Sequence, residues 1–353
     1  MNDLKNIVMP LLSWYKKYAR ILPWRQLSCA YHIWVSEIML QQTRVETVKT
    51  YFTRFINELP TILDLSQCNE EKLLKLWEGL GYYNRVRNMQ KAAIQIMSRY
   101  NGKMPNSYEE LLSLPGIGTY TAGAISSIAY GIPVPAVDGN VLRVIARITA
   151  NYHDITKPAT KIEITQQLQE IIPQNEAGNF NQALMELGAT ICVPKGEPHC
   201  LLCPVRAYCK AFHHGYINQL PVKEKKKARR VENKTVLLLI CDGAVALQKR
   251  ENHQLLAGLW QFPNIEGHIS LSSLQQQLKQ WKIPAKQIQE TKQTKHIFTH
   301  IEWHMKSYLI ICKSQAIDHC MQFAWTFRQE LEHIAIPSAF QPFLPVINPH
   351  IQS

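Results

Sequence analysis

The 353-residue chain has no apolar run long enough to cross a bilayer. Its longest, such as Thr235–Cys241, fall far short of the ~20 residues a spanning helix needs. Its opening segment, MNDLKNIVMPLLSWYKKYAR, lacks a basic start, a continuous apolar core and a small-residue cleavage site. That excludes a secretory signal and leaves an amphipathic helix, so a cytoplasmic, nucleoid-associated protein is expected, with no membrane partner. Charge is sparse at 19% of residues, but hydrophobic residues reach 46%, which excludes wholesale disorder and allows sizeable cores. Internal repeats and low-complexity tracts are missing too. Acidic residues are the scarcer sign, 27 against 39 basic, giving a net charge of +12. Such an excess is the electrostatic footprint of a polyanion partner, although many basic proteins bind no nucleic acid.

The length exceeds one ordinary domain and implies two. From Met1 to about His214 the patterns are helical. In Ala177–Cys192 the residues Phe180, Leu184, Leu187 and Ile191 recur at helical spacing and form a buried stripe. Further helices are expected at Trp34–Gln42, Val45–Asn57, Arg85–Arg99, Thr119–Tyr130 and Val141–Thr149. Residues Leu220–Lys234 are strongly basic without apolar period and read as a linker. Strand-like runs follow at Thr235–Cys241, Val245–Lys249, His296–Ile301 and Tyr308–Cys312, with a Gln-rich helix at Leu271–Trp281 between them. The expected organisation is an all-α domain over 1–218, a basic linker over 219–234 and an α+β domain over 235–353.

Four motifs carry chemistry. In LPGIGTYTAGA, Leu114–Ala124, a turn with Gly116 and Gly118 separates two helical segments. Glycines let a ligand approach the backbone, and the amides opening the next helix point outward, as in a hairpin that grips a DNA phosphate. In VPAVDGNVLRVIAR, Asp138 stands at the start of an apolar helix with Asn140 close by; taken alone, Asp138 reads as a helix N-cap. In WVSEIMLQQTRVETV, Glu37 sits inside an apolar helix, where a carboxyl tends to have a raised pKa and can act as an acid near neutral pH. Gln41, Gln42, Thr43 and Arg44 then end that helix with polar groups able to reach base edges or phosphates. Nine cysteines are present, five of them scattered singly. The other four, Cys192, Cys200, Cys203 and Cys209, are spaced C-x7-C-x2-C-x5-C. In a reducing compartment that cluster points to metal: zinc on four thiolates or a [4Fe–4S] cluster.

Together these pieces resemble the MutY family, the adenine DNA glycosylases of the helix-hairpin-helix superfamily. The resemblance spans nearly the whole chain and includes LPWR (Leu22–Arg25), SEIMLQQTRVETV (Ser36–Val48), WEGLGYYNRVRNMQKAA (Trp77–Ala93), LPGIGTYTAGA, VDGNVLRV (Val137–Val144) and the cysteine loop. It implies a helix-hairpin-helix glycosylase domain with an iron–sulfur loop, followed by a Nudix-like domain that recognises 8-oxoguanine. The expected cofactor is one structural [4Fe–4S] cluster on Cys192, Cys200, Cys203 and Cys209. The expected partner is duplex DNA with adenine opposite 8-oxoguanine or guanine, bound by a monomer. The family's first cysteine gap is six residues; here it is seven, Val193–His199. The sister enzyme endonuclease III carries a Schiff-base lysine where this chain has Tyr120, so strand cleavage is expected to be weak or absent. Phe298-Thr299-His300 resembles the family's Phe-Ser-His loop and keeps the hydroxyl. No REx2EE-type carboxylate helix follows, so hydrolysis of nucleoside diphosphates is not expected.

The resemblance assigns roles. Glu37 protonates adenine N7, and Asp138 stabilises the sugar cation or adds to it covalently. Tyr120 and Asn140 support the sugar and Asp138. Gln41, Gln42 and Tyr82 wedge into the duplex, with Thr43 and Leu80 near 8-oxoguanine. The alternatives are an endonuclease III-like or T·G mismatch glycosylase, a non-catalytic DNA-damage binder, and a nucleotide-pool hydrolase built on the C-terminal half. The binder has no need for both carboxyls, and the missing carboxylate helix speaks against the hydrolase.

Overall fold

The computed structural model describes residues 3–26, 29–224, 228–251, 255–313 and 323–352. Cys320 and residues 225–227 of the expected linker lie outside the described residues. Contacts divide the chain into two units, one drawn from Met1–Cys68 and Asn84–Lys225, the other from Asn69–Tyr83 and Lys226–Ser353.

The helices run in order α1 (Val8–Tyr18), α2 (Pro23–Gln26), α3 (Ala30–Leu40), α4 (Val45–Glu58), α5 (Ile62–Gln67), α6 (Glu70–Leu76), α7 (Asn84–Tyr100), α8 (Tyr108–Leu112), α9 (Thr119–Tyr130), α10 (Gly139–Thr149), α11 (Pro158–Gln169), α12 (Ala177–Thr190) and α13 (Lys210–His213). All but α6 belong to the first unit. Its interior joins Leu11 and Leu12 of α1, Val141, Val144 and Ile145 of α10, and Phe180, Leu184 and Leu187 of α12. Three of the four residues of the expected stripe are therefore core; Ile191 packs at its margin. α9 is built of small residues because it is approached closely. A Cβ on Gly123 would stand 2.3 Å from the Pro135 carbonyl oxygen. Three helices, α3, α7 and α10, start earlier than their apolar period suggests: α3 begins at Ala30, four residues before Trp34.

The second unit holds strands β1 (Arg230–Cys241), β2 (Ala244–Lys249), β3 (Trp260–Gln261), β4 (Asn264–Glu266), β5 (Ala285–Ile297), β6 (Ile301–Cys312) and β7 (Ala324–Thr326), with helices α14 (Leu271–Gln280), α15 (Arg328–His333) and α16 (Leu344–Ile347). The sheet order is β3-β2-β1-β6-β5, with β4 on β1 and β7 on β2. β1 and β6 pair in parallel at its centre, Leu238 opposite Leu309. Both faces are covered. Val236, Leu238 and Ile240 meet Phe262, Phe340 and Phe343 on one side. Leu237 and Leu239 meet Leu274 and Leu278 of α14 on the other. Burial on both faces is why Thr235–Cys241 is a continuous apolar run rather than an alternating one.

Two expectations change. The basic stretch is not linker to Lys234: β1 begins at Arg230 and its first residues pair with Ile301–Met305 of β6. The strand read at His296–Ile301 is a corner. β5 ends at Ile297, and Phe298 N–H donates to the Ile301 carbonyl at 2.8 Å to close a turn that carries Thr299 and His300. Residues 69–83 also join this unit through their own bonds. Lys75 Nζ donates to the Ile334 carbonyl at 3.0 Å, and Glu78 accepts from the Ile336 N–H at 2.8 Å.

Candidate active site

A cavity of about 600 Å³ opens in the helical unit, lined by α3, α9, α10 and α12. α3 is apolar on all sides and buried from Ile33 to Met39, Glu37 included. Glu37 is 6% exposed and lines the cavity. It does not face solvent from a polar side. Burial pushes its carboxyl up to about 7, against the pull of the Tyr120 hydroxyl, which donates to Oε2. Burial and the adjacent Glu37 carboxyl also drive the Tyr120 phenol well above its ordinary value, so it stays a neutral donor.

Asp138 is both the N-cap of α10 and part of the cavity wall. Its Oδ1 accepts from Val141 N–H at 2.8 Å, the capping bond, and its Oδ2 accepts from Asn140 Nδ2 at 2.7 Å. Burial raises its pKa, and the Val141 and Asn140 donors and the nearby Arg143 guanidinium offset that rise only in part. Glu37 and Asp138, two of the three carboxyls that line the cavity with Glu186, are unlike. Glu37 has a single side-chain donor in apolar surroundings and, pushed up to about 7, still holds its proton in part of the molecules near pH 7. Asp138 has two donors and a cation behind it, which favour the anion.

The polar residues after α3 line the same cavity: Gln41, Gln42 and Thr43. Arg85 Nη1 holds their approach by donating to the carbonyls of Ile38 at 2.7 Å and Gln41 at 2.6 Å, taking up the bare acceptors of the helix end. Gln42 has φ 62° and Tyr82 has φ 47°. A left-handed backbone is rare for such side chains and concentrates at functional positions. The hairpin between α8 and α9 behaves differently at its two glycines. Gly116 has φ +79°, and a Cβ there would lie 2.7 Å from Asn88 Cβ. At Gly118 a Cβ would meet nothing within 4 Å, so the bare backbone is open to a partner from outside. Gly118 is also the N-cap of α9 with no side chain on its amides.

The remaining candidates lie in the second unit. Tyr82, half-exposed, shares a 2.6 Å hydrogen bond with the Thr299 hydroxyl. The turn behind Thr299 is braced. Phe298 packs edge-on between His296, at 4.5 Å, and Trp303, at 4.8 Å. Arg230 N–H donates to the His300 carbonyl at 3.1 Å. Leu80 is buried, whereas Thr299 and His300 are exposed.

A family profile described as HhH-GPD superfamily base excision DNA repair protein matches residues 35–174, and a NUDIX domain profile matches 235–345. Adenine DNA glycosylase from Mus musculus is 34% identical, over 97% of this chain and 78% of its own. Adenine DNA glycosylase from Buchnera aphidicola subsp. Baizongia pistaciae is 34% identical over 93% of both chains. The chain belongs to the adenine DNA glycosylase family. Among solved structures, a thermostable thymine-DNA glycosylase aligns with TM-score 0.53 and 26% identity, covering 60% of this chain and 97% of its own. It covers a smaller share of this chain than the adenine DNA glycosylases do.

All four clustered cysteines of this chain line one pocket with Val144, Ile148, Leu187 and Phe212. The seven-residue first gap turns at Gly196, φ +72°, and returns with His199 N–H bonded to the Ile191 carbonyl at 3.0 Å. Among the described residues, no three His, Cys, Asp or Glu side chains converge on a single-ion position. Four cysteines round one pocket are a donor set that fits an iron–sulfur cluster. No helix among the described residues is long and apolar enough to cross a membrane.

Several residues of the site escaped the sequence reading. Arg143 Nη2 donates to Asn140 Oδ1 at 2.9 Å and to the Gly188 carbonyl at 2.8 Å, and its Nε donates to the Cys192 carbonyl at 2.8 Å. A hydrogen-bonded path therefore runs from Cys192 through Arg143 and Asn140 to Asp138. Glu186, 1% exposed, takes Arg20 Nε at 2.6 Å and Arg25 Nη2 at 2.9 Å. Burial opposes its charge, but the two guanidinium groups outweigh this and hold its carboxyl below the usual range. A carboxylate flanking an apolar stripe, with two arginines far off in sequence, was the available signal. Gly188 permits the close approach of α12 to α10: a Cβ there would stand 2.6 Å from Asn140 Cβ. Gly188→Ala is expected to cost about 1–3 kcal/mol of stability and to slow turnover by displacing Asn140. Thermal unfolding and single-turnover rates measure both. Wild-type values in each would mean the helices have slack.

Proposed function

We propose that this protein hydrolyses the bond between adenine and its deoxyribose in duplex DNA where adenine faces 8-oxoguanine or guanine. The observation that carries the reading is the unlike carboxyl pair in one cavity: Glu37, buried and pushed up to about 7, and Asp138, which accepts from Val141 N–H and Asn140 Nδ2 beside the Arg143 guanidinium. The hairpin amides at Gly116–Gly118 take a backbone phosphate. Gln41, Gln42 and Tyr82 enter the stack as adenine swings out, and Thr43, Leu80, Phe298, Thr299 and His300 face the opposite base.

Glu37 gives its proton to adenine N7. The bond from N9 to C1′ breaks, its electron pair leaving with the base. Asp138 stabilises the oxocarbenium-like sugar or bonds to C1′, as the second carboxylate of a retaining glycosidase does. The Glu37 carboxylate then takes a proton from water as that water bonds to C1′, and where Asp138 has bonded there its C1′–O bond breaks, the electron pair returning to the Asp138 carboxylate. Tyr120 holds Glu37 in place, and Asn140 holds Asp138. With no lysine at position 120 there is no Schiff base, and the strand stays whole at the abasic site. Cys192, Cys200, Cys203 and Cys209 would hold a [4Fe–4S] cluster, which orders the loop bearing Lys195, Arg206 and Lys210 for contact with DNA.

The test offers duplexes bearing A:8-oxoguanine, A·G, T·G and an oxidised pyrimidine, and scores base release and strand breaks separately. Adenine release, with breaks only after alkali, is expected. Release of thymine or of the oxidised pyrimidine, or breaks without alkali, would overturn the proposal. The purified protein should be brown with stoichiometric iron and sulfide; a colourless protein with one zinc would refute the cluster assignment.

A further inference from the structure

Behind the cavity that holds Glu37 and Asp138 lies a second one of about 300 Å³, still in the helical unit. The two share a wall made of Trp24, Arg25, Ile33, Ile128 and Gln182. We infer that the rear cavity receives the excised purine and lets it leave without crossing the bound DNA. This rests on the proposed glycosylase reading.

Three of the five wall residues are held in place. Trp24 and Ile33 are 6% and 3% exposed, and Trp24 packs edge-on against Phe52 at 5.6 Å. Arg25 is tied to Glu186 at 2.9 Å and to the Arg20 carbonyl at 3.1 Å, and lies over the Tyr15 ring. Gln182 faces both cavities and has no hydrogen-bond partner among the described residues. An amide with nothing to release swings at little cost, and its paired donor and acceptor match a purine edge from either side.

The rear chamber has the chemistry of a neutral heterocycle site. Asn175, Asn179 and Gln182 line it with amides. Its carboxylate, Glu176, is already met by Lys16 Nζ and by Asn179 Nδ2 at 2.6 Å, so no bare charge faces a ligand. Its volume sits at the low end of small-molecule sites, about 300–1,000 Å³. The reaction also needs such a space. While duplex covers the front opening, a freed base remaining at C1′ occupies the position that the attacking water must reach. Moving it rearward clears that position for the water which Glu37 activates.

Single-turnover reactions on A:8-oxoguanine duplex carrying radiolabelled adenine test this. Protein–DNA complexes are trapped on filters; label in the filtrate reports free adenine, and alkaline scission of the same samples reports bond cleavage. For the wild type, filtrate adenine should track cleavage while DNA stays on the filter. Asn179→Trp, which fills the rear chamber and lies outside the front one, should cleave at the wild-type rate. It should hold adenine until DNA dissociates, delaying release by roughly tenfold or more. Asn175→Trp, on the exposed side of the same chamber, should repeat the delay should Asn179→Trp fail to fold. Wild-type adenine that waits for DNA, or folded plug variants that release it on the wild-type schedule, would overturn the inference. Absence of adenine cleavage in the wild type would count instead against the glycosylase reading.

Discussion

Glu37→Gln is expected to reduce adenine release by about 10²–10⁴-fold, the usual contribution of a positioned general acid, while leaving duplex binding unchanged. Glutamine keeps the shape and can still accept from Tyr120, so the substitution removes the transferable proton and little else. The wild-type pH profile should carry the same signature. Glu37 acts in its protonated form, its pKa is pushed to about 7, and base release should therefore fall as pH rises through that value. The alkaline limb should vanish in the glutamine variant's residual activity. Stability should move the other way. A carboxyl whose folded pKa lies above its unfolded one contributes full stability below the unfolded value and loses it as pH rises through the folded one. Glu37→Gln removes that loss, so the variant should melt higher than wild type at pH 8 and about equally at pH 4. Near-normal turnover, or an alkaline limb that survives the substitution, would show that another group supplies the proton.

The readability of this site from sequence followed the range of the interaction. Glu37 was legible because a carboxylate among Trp34, Val35, Ile38 and Met39 has no polar face to escape to, and the structure buries it. Asp138 was legible only as a cap, and it does cap α10; its second oxygen, turned to Asn140, serves the cavity. The apolar run at Thr235–Cys241 announced a strand, and the structure buries it on both faces. β5 did not announce itself, because Ala285–Ile297 is a Gln- and Lys-rich edge strand with one neighbour and mostly exposed side chains. Backbone state was illegible as well: nothing local marks Gln42 and Tyr82 for positive φ. Residues separated by a hundred or more positions were hardest. The grouping of 69–83 with the sheet, and the pairing of Glu186 with Arg20 and Arg25, exist only once the chain has closed.

Asp138→Asn is the sharper test of the charge, because it separates the two functions of one side chain. Asparagine is as good an N-cap as aspartate. Its carbonyl oxygen can keep the 2.8 Å bond from Val141 N–H, so α10 should start unchanged and the melting temperature should stay close to wild type. The other oxygen becomes an amide, which meets the Asn140 Nδ2 donor at 2.7 Å as a second donor. Asn140 relieves this only by turning its own amide, and that breaks the 2.9 Å bond its oxygen receives from Arg143. Loss of the negative charge and of that alignment removes what faces the developing cation at C1′. Base release should fall by at least 10²–10³-fold, the scale of removing one preorganised electrostatic partner, with DNA affinity preserved. Asp138→Ala should match that catalytic loss and add about 1 kcal/mol of instability from the missing cap. A stable Asp138→Asn protein with near-normal turnover would reduce Asp138 to its capping bond and show that its charge is not what faces the sugar cation.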